Sequence, residues 1–219
     1  MLNVKEILLA SSLFVSIAAQ ASIILPSDTL LDNGGFEAPD IGDNSWEYYT
    51  NSHNSSGVPG WSYEGSGMEI WDSLLNVDAI EGEQHAELNA HGANNQAYSF
   101  RQTFDTVIGE TYDYGFSYRA RNNTNESFYA GILGLSANDL FDNHTVGAWT
   151  TVNLSFIATA IESTIAFTSA DALGDTTGNL LDAVYVTSRN TVTTNNVPEP
   201  SSIFLLGLGL LGLGLKRRK

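Results

Sequence analysis

The stretch 111-TYDYGFSY-118 decides the fold class of this 219-residue chain, because an aromatic side chain recurs at every second position. Successive side chains of an extended strand point to opposite faces, so all four rings fall on one face. The other face carries Thr111, Asp113, Gly115 and Ser117. A strand that is apolar on one side and polar on the other is typical of an antiparallel sheet with one face on the core. We therefore predict a half-buried antiparallel strand here.

The same alternation continues toward the C-terminus. Three further segments show it, and we predict a strand in each: 150–157, 164–168 and 180–186. Clusters rich in glycine, asparagine and aspartate separate these segments, whereas residues 138–141 suit a brief helical turn. Many short strands at such spacing predict an all-β fold, a jelly-roll β-sandwich over residues 22–190.

The charge of the chain is strongly negative, with 25 acidic residues against nine lysines and arginines and a net charge of −16. A phosphate backbone requires a basic face, so we expect no nucleic-acid partner. The chain has no cysteine, which excludes disulfides, cysteine-based zinc sites and cysteine nucleophiles. Residues 22–190 hold 23 of the acids and four arginines, a net charge of about −19, and such a surface attracts Ca²⁺.

The first 21 residues have the three parts of a secretory signal peptide. Lys5 precedes the apolar run 7–17, and Ala19-Gln20-Ala21 supplies the small residues at the cleavage site. We predict cleavage after Ala21 and export through the inner membrane. The alternative is an amphipathic first helix of the fold, although the run has no polar face.

The C-terminus also has three parts. The motif Val197-Pro198-Glu199-Pro200 is followed by an apolar run, 203–215, and then by four basic residues, 216–219. The run is shorter than the ~20 residues of a typical membrane helix, and the positive-inside rule would keep the basic tail in the cytoplasm. A polar linker, residues 191–196, separates this segment from the sandwich.

Residues 197–219 resemble the PEP-CTERM sorting signal, whose motif here is Pro198, Glu199 and Pro200. The resemblance implies a short transmembrane sorting helix at 203–215, which an exosortase-type membrane protease recognises. The protein would then be anchored transiently in the membrane before it reaches the cell surface or the extracellular space. An ordinary single-span anchor is the alternative.

The body of the chain resembles the galactose-binding-like β-sandwiches that serve as carbohydrate-binding modules. Three segments carry the resemblance: 31-LDNGGFE-37 with Trp46 and Trp61 after it, 101-RQTF-104 with the tyrosine-rich strand after it, and 181-LDAV-184. In that family the first and last strands lie side by side and often hold a structural Ca²⁺.

The resemblance implies which residues bind this ion. Glu37 and Asp182 would be ligands through their side chains, and carbonyl oxygens near Asn33 and Gly35 would complete the site, since Ca²⁺ prefers carboxylate and carbonyl oxygens. The alternative is that residues 33–35 form only a turn and that Glu37 is a solvated acid.

A candidate ligand site comes from 69-EIWD-72 and 79-AIEGEQHAELNA-90, which resemble a segment of exported bacterial sandwich domains and adhesins. In an extended chain, Glu69 and Trp71 share one face. His85, Glu87 and Asn89 also share a face, while Ala86, Leu88 and Ala90 point to the core. An aromatic ring stacks on the C–H side of a sugar, and carboxylate and amide groups bind its hydroxyls, so this pattern predicts a sugar site.

Three more residues are candidates for the same site. Arg119 and Arg121 lie at a strand end and can reach Glu69, Glu87 or an acidic group of the ligand, although a buried ion pair between Glu87 and Arg119 is equally compatible with the sequence. Trp46 either lines a loop-borne site or covers one end of a sheet.

The sequence contains no nucleophile elbow, zinc-protease helix or phosphate-binding loop, and paired carboxylates arise by chance among so many acids. We therefore predict no enzyme. The sequence favours an exported, non-catalytic glycan-binding protein of the cell surface or exopolysaccharide matrix. The alternative is a structural matrix or biofilm protein without a specific sugar ligand. Exposure of Trp71 distinguishes the two, because a buried Trp71 favours the structural role.

Overall fold

The structure is a computed structural model that describes residues 23–50, 53–65, 67–88, 98–121, 126–135, 139–142, 146–170 and 177–189. The chain divides into two compact units, Met1–Ser188 and Arg189–Lys219. The predicted signal peptide, linker, sorting segment and Asn89 lie outside the described residues. Within them, no helix has the length and the apolar character needed to cross a membrane.

The described part of the chain is all-β, with eleven strands and one short 3₁₀ helix, Leu74–Asn76. The strands are β1 (Ser45–Tyr49), β2 (Ser62–Glu64), β3 (Met68–Asp72), β4 (Gln84–Glu87), β5 (Ser99–Asp105), β6 (Thr111–Ala120), β7 (Phe128–Ile132), β8 (Asp139–Phe141), β9 (Thr150–Ile157), β10 (Glu162–Ser169) and β11 (Asn179–Ser188). They form a six-stranded sheet in the order β1-β3-β4-β11-β6-β9 and a five-stranded sheet in the order β2-β5-β10-β7-β8. The predicted all-β sandwich is confirmed.

The hydrophobic core lies between the two sheets, and the alternation along each strand selects its side chains. On β6, Phe116 is fully buried, and the three tyrosines in register with it are buried as well. The facing sheet contributes Phe100 and Phe167, and the rings of Phe116 and Phe167 meet edge-on at 5.0 Å between centroids. Burial of each such side chain stabilises the fold by about 1.5–3 kcal/mol. The strand predicted at 111–118 is therefore confirmed.

One local prediction is wrong. Residues Asp139–Phe141 form strand β8, which pairs antiparallel with β7, where the sequence suggested a helical turn. The ring of Phe141 stacks on that of Phe128 at 5.1 Å between centroids. Strand pairing and this aromatic contact override the local preference for a turn.

The segment that precedes β1 runs alongside β11. The amide of Leu30 donates to the carbonyl of Val186 at 2.8 Å, and the amide of Val184 donates to the carbonyl of Gly34 at 2.9 Å. Glycine is required at position 34, because a Cβ there would lie 1.9 Å from the Val184 carbonyl oxygen. This contact brings residues 33–37 next to Asp182, as the resemblance implied.

Candidate functional site

The candidate ligand residues lie on the side of the six-stranded sheet that is turned away from the core, which we call the outer face. In the register of the sheet, Trp46 lies opposite Trp71, and Trp71 lies opposite His85. Glu69 likewise lies opposite Glu87. Directly opposed residues of an antiparallel pair point to the same side, so the outer face carries all five side chains.

Arg121 connects the residues at the centre of the outer face. Its Cζ lies 4.4 Å from the centroid of the Trp71 ring, and its NH1 group donates to both carboxylate oxygens of Glu87, at 3.0 and 3.1 Å. The Nε1 of Trp71 donates to Glu69 Oε1 at 2.5 Å. A guanidinium fixed by a carboxylate and an indole at once has little rotational freedom. Glu69, Trp71, Glu87 and Arg121 therefore form one rigid cluster.

Glu87 is fully buried within this cluster. Its burial and the neighbouring Glu69 raise the pKa of the Glu87 carboxyl well above its ordinary value, while Arg121 and the Gly178 amide, which donates at 2.8 Å, oppose that rise. The ion pair that the sequence allowed between Glu87 and Arg119 is not the one formed. Arg121 takes that place, because it lies on the same strand face two residues further along.

Two buried residues of the outer face have polar atoms without partners. The ring of His85 is fully buried and lies 6.1 Å from the Trp71 ring and 5.7 Å from the Trp149 ring, while the Cζ of Arg119 lies 5.7 Å from the Trp149 ring. Burial, and then the charge of Arg119, lower the pKa of His85 to about 3. Among the described residues, no hydrogen-bond partner reaches either ring nitrogen of His85 or the Nε of Arg119.

Trp71 is only 1% exposed, which answers the question that the sequence left open. Val77 and Ile80, from the loop after β3, pack with Trp149 and Leu180 into a second apolar cluster on this side of the sheet. Trp71 is therefore a covered residue of the outer face and does not offer an open ring to a sugar.

Trp46, at the edge of the same face, is 41% exposed. Its ring lies 6.1 Å from the ring of Tyr48, with 28° between the two planes, and the ring of Tyr48 lies 4.1 Å from that of His53 at 12°. The Nε2 of His53 in turn lies 3.1 Å from Glu47 Oε1. We call Trp46, Tyr48 and His53 the edge aromatic stack. It presents an exposed ring surface beside the buried polar cluster.

The predicted calcium ligands Glu37 and Asp182 lie near a third carboxylate, Glu81. The Oδ2 of Asp182 accepts the amides of Ile80 and Glu81 at 2.8 and 3.0 Å. A Cβ on Gly35 would lie 1.9 Å from Glu81 Oε2, so the absence of a side chain at position 35 admits this carboxylate. Burial and, in smaller part, the charge of Glu37 raise the pKa of Glu81, while burial and, in smaller part, the charges of Glu83 and Asp72 raise the pKa of Glu37. Burial raises the pKa of Asp182 well above its ordinary value. Among the described residues, these three carboxylates do not place one oxygen each within 4.8 Å of the others, so the calcium site stays a prediction.

Asn33 does not fit as a ligand. Its carbonyl oxygen accepts the Phe36 amide at 3.1 Å and the Trp61 Nε1 at 3.0 Å, which occupies both lone pairs. Its side chain accepts the Ala38 amide at 2.9 Å and donates to the Ala38 carbonyl at 2.6 Å. Asn33 therefore fastens the turn, as the alternative interpretation of this segment expected.

Sequence reasoning did not anticipate every acid of this region. It assigned no binding role to Glu81, although its position before Gly82 is the signal that the chain turns there. It also missed Asp43, Asp72 and Glu83, each of which places one carboxylate oxygen within 4.8 Å of the others. The signal for this group is Asp72, an acid at a core-side position of β3.

Comparison with known proteins gives distant structural neighbours, and no curated protein matches the chain. TmCBM61 in complex with beta-1,4-galactotriose is 17% identical, with a TM-score of 0.46 over 74% of this chain and 99% of that one. A CBM4 structure is 18% identical, with a TM-score of 0.42 over 73% and 99%. A family 35 carbohydrate-binding module from Clostridium thermocellum is 12% identical, with a TM-score of 0.39 over 65% and 97%. These neighbours are carbohydrate-binding modules with β-sandwich folds.

The C-terminal segment matches a protein family. Residues 196–219 match the PEP-CTERM protein-sorting motif, and the resemblance noted in the sequence is confirmed. This chain carries a PEP-CTERM sorting motif at its C-terminus, which indicates export and a membrane-anchored signal for sorting toward the cell surface.

Proposed function

We propose that this protein is a non-catalytic glycan binder of the cell surface or exopolysaccharide matrix, and that the glycan binds at the outer face beside β1. The observation that carries the proposal is the row of rings and hydrogen-bonding groups that crosses the sheet and ends at the exposed Trp46. An exposed indole offers a flat apolar surface to the C–H side of a pyranose. Several of the distant structural neighbours are carbohydrate-binding modules, which agrees with this class of ligand.

The buried residues would support this surface. Trp71 and Glu87 hold Arg121, whose side chain remains 21% exposed and can donate to sugar hydroxyls or to an acidic sugar. The partnerless nitrogens of His85 and Arg119 add donors and acceptors beneath the same face. Glu69 and Glu87 are buried at 5% and 0% exposure, and Glu87 is engaged by Arg121, which argues against use of the pair in hydrolysis.

Two further parts of the proposal come from the sequence. A structural Ca²⁺ would bind the carboxylates of Glu37 and Asp182, with Glu81 as a third acid, and would neutralise their repulsion. An exosortase-type protease would process the C-terminal signal. The sandwich would then be displayed outside the cell.

The burial of Trp71 favours a second candidate, a structural matrix protein whose sandwich binds no specific sugar. The two candidates differ in whether any glycan binds the exposed edge of the outer face.

A binding experiment separates them. The full chain, purified in detergent, is titrated with a panel of neutral and acidic exopolysaccharides. We expect Trp46→Ala to weaken binding of at least one glycan roughly tenfold, which corresponds to about 1.4 kcal/mol. Tyr129→Ala is the matched control, because Tyr129 is 40% exposed on the other sheet and should leave binding unchanged. Absence of binding across the panel would establish the structural alternative. Equal affinity of Trp46→Ala and the wild type would overturn the proposed binding site at the edge of the outer face.

A further inference from the structure

A second group of acids lies at one end of the six-stranded sheet, apart from the predicted calcium ligands. Asp43 precedes β1, Asp72 is the last residue of β3, and Glu83 precedes β4. One carboxylate oxygen of each lies within 4.8 Å of the other two. Asp43 and Glu83 are exposed, whereas Asp72 is buried. Three different segments of the chain thus converge on one point.

Asp72 is the observation that makes this more than a cluster of surface acids. The residue is 2% exposed and alternates with Trp71, so its side chain is on the core side of β3. None of the ion pairs found among the described residues includes its carboxylate. A buried carboxylate ordinarily has a hydrogen-bonded or charged partner, because desolvation without one costs several kcal/mol. The oxygen of Asp72 is instead directed at two further carboxylates.

No arginine of the described sheets compensates this charge by an ion pair. Arg101 pairs with Glu64, Arg121 pairs with Glu87, and Arg119 lies over Trp149. The repulsion extends to Glu37, whose pKa is raised by its burial and, in smaller part, by the charges of Glu83 and Asp72. In a body that carries 23 acids and no lysine, a bound cation is the available source of positive charge.

We propose that a divalent cation, Ca²⁺, binds the carboxylates of Asp43, Asp72 and Glu83. Ca²⁺ takes oxygens at about 2.3–2.6 Å, so two ligands on opposite sides of the ion lie about 4.6–5.2 Å apart. The separations within this group do not exceed 4.8 Å, so one ion can touch all three oxygens. Mg²⁺ requires about 2.0–2.1 Å, which would draw opposite ligands to about 4.2 Å or less. Water completes the coordination on the side of the two exposed acids.

The site would act on the edge strand. It joins the loop before β1 to the ends of β3 and β4, and β1 is the outermost strand of its sheet. The ion would therefore fix the strand that carries the edge aromatic stack. This role does not depend on the proposed glycan, because it concerns only how firmly β1 is held in the sheet.

The test is calorimetric titration of the full chain with CaCl₂ after removal of metal by a chelator. We expect Asp43→Asn with Glu83→Gln to abolish one Ca²⁺-binding event and the rise in melting temperature that accompanies it. Both residues are exposed, so this double variant should fold as the wild type does. Asp105→Asn with Glu162→Gln is the matched control, since these acids are exposed and lie opposite each other on β5 and β10.

A third variant, Glu37→Gln, distinguishes this site from the predicted one at Glu37 and Asp182. The proposal requires a binding event that persists in Glu37→Gln and disappears in the double variant. A wild type that binds no Ca²⁺, or a double variant that binds as many ions as the wild type, overturns it. An event lost equally in both variants would assign the ion to Glu37 and would likewise overturn the separate site.

Discussion

At the scale of single residues, His85 is a polar side chain in unfavourable surroundings. Its two ring nitrogens are buried between Trp71 and Trp149, with no hydrogen-bond partner among the described residues. A buried polar group in this state costs about 1–3 kcal/mol. His85→Phe keeps an aromatic ring between the two indoles and removes that cost. We therefore expect the variant to increase the free energy of unfolding by about 1 kcal/mol in urea denaturation, without a change of m-value.

His53→Phe is the control for this prediction, because His53 is partly exposed, its Nε2 contacts Glu47 at the surface, and phenylalanine can keep the ring contact with Tyr48. Its effect should stay below about 1 kcal/mol. A clear loss of stability in His85→Phe, beyond that of the control, would mean that the His85 nitrogens have partners in solution. If His85→Phe instead weakens glycan binding while stabilising the fold, the imidazole serves the ligand.

At the scale of elements, strand β11 contains a bulge between Asp182 and Tyr185, where Ala183 has a φ of +52°. A side chain in this left-handed region costs about 1–2 kcal/mol, which glycine avoids. We expect Ala183→Gly to leave stability unchanged or to raise it by up to about 1 kcal/mol, measured by thermal unfolding. Ala130→Gly, in the regular strand β7 at a buried position, is the matched control and should lower stability by roughly 1 kcal/mol. Equal losses in both variants would contradict the assigned bulge.

The strands also show which parts of the structure can be predicted from the alternation of apolar and polar residues in the sequence. It identified β6, β9, β10 and β11, because a period of two depends only on the geometry of a strand. It also placed Glu69, Trp71, His85 and Glu87 on one face. It could not say that this face is closed, because the loop and Trp149 that cover it are brought there by tertiary packing. Asp72 was missed for a similar reason, since its neighbours Asp43 and Glu83 come from other segments.

At the scale of the whole molecule, charge makes stability depend on pH. Burial raises the pKa of Glu37, Glu81, Glu87 and Asp182, so between their ordinary and raised values the folded state holds protons that the unfolded chain has lost. This contribution to stability is complete at low pH and disappears as pH rises through the folded values. His85 acts in the opposite sense, because its pKa falls to about 3 and its contribution is lost as pH drops below 6.5. Four acids therefore favour stability at low pH, whereas one histidine favours it at higher pH.

We therefore expect the metal-free protein to be more stable near pH 5 than near pH 8, because the pKa values of these carboxyl groups are raised in the folded state. Chemical denaturation in the presence of a chelator measures this difference. Ca²⁺ binds the deprotonated carboxylates and so stabilises the folded state most at the higher pH, which should reduce or reverse the slope. Glu87→Gln provides the internal control, since it removes one raised carboxyl from the outer face and should flatten the metal-free slope without altering the response to Ca²⁺. If the metal-free protein instead gains stability from pH 5 to pH 8, the prediction is wrong, and positively charged groups of the protein stabilise these carboxylates in solution.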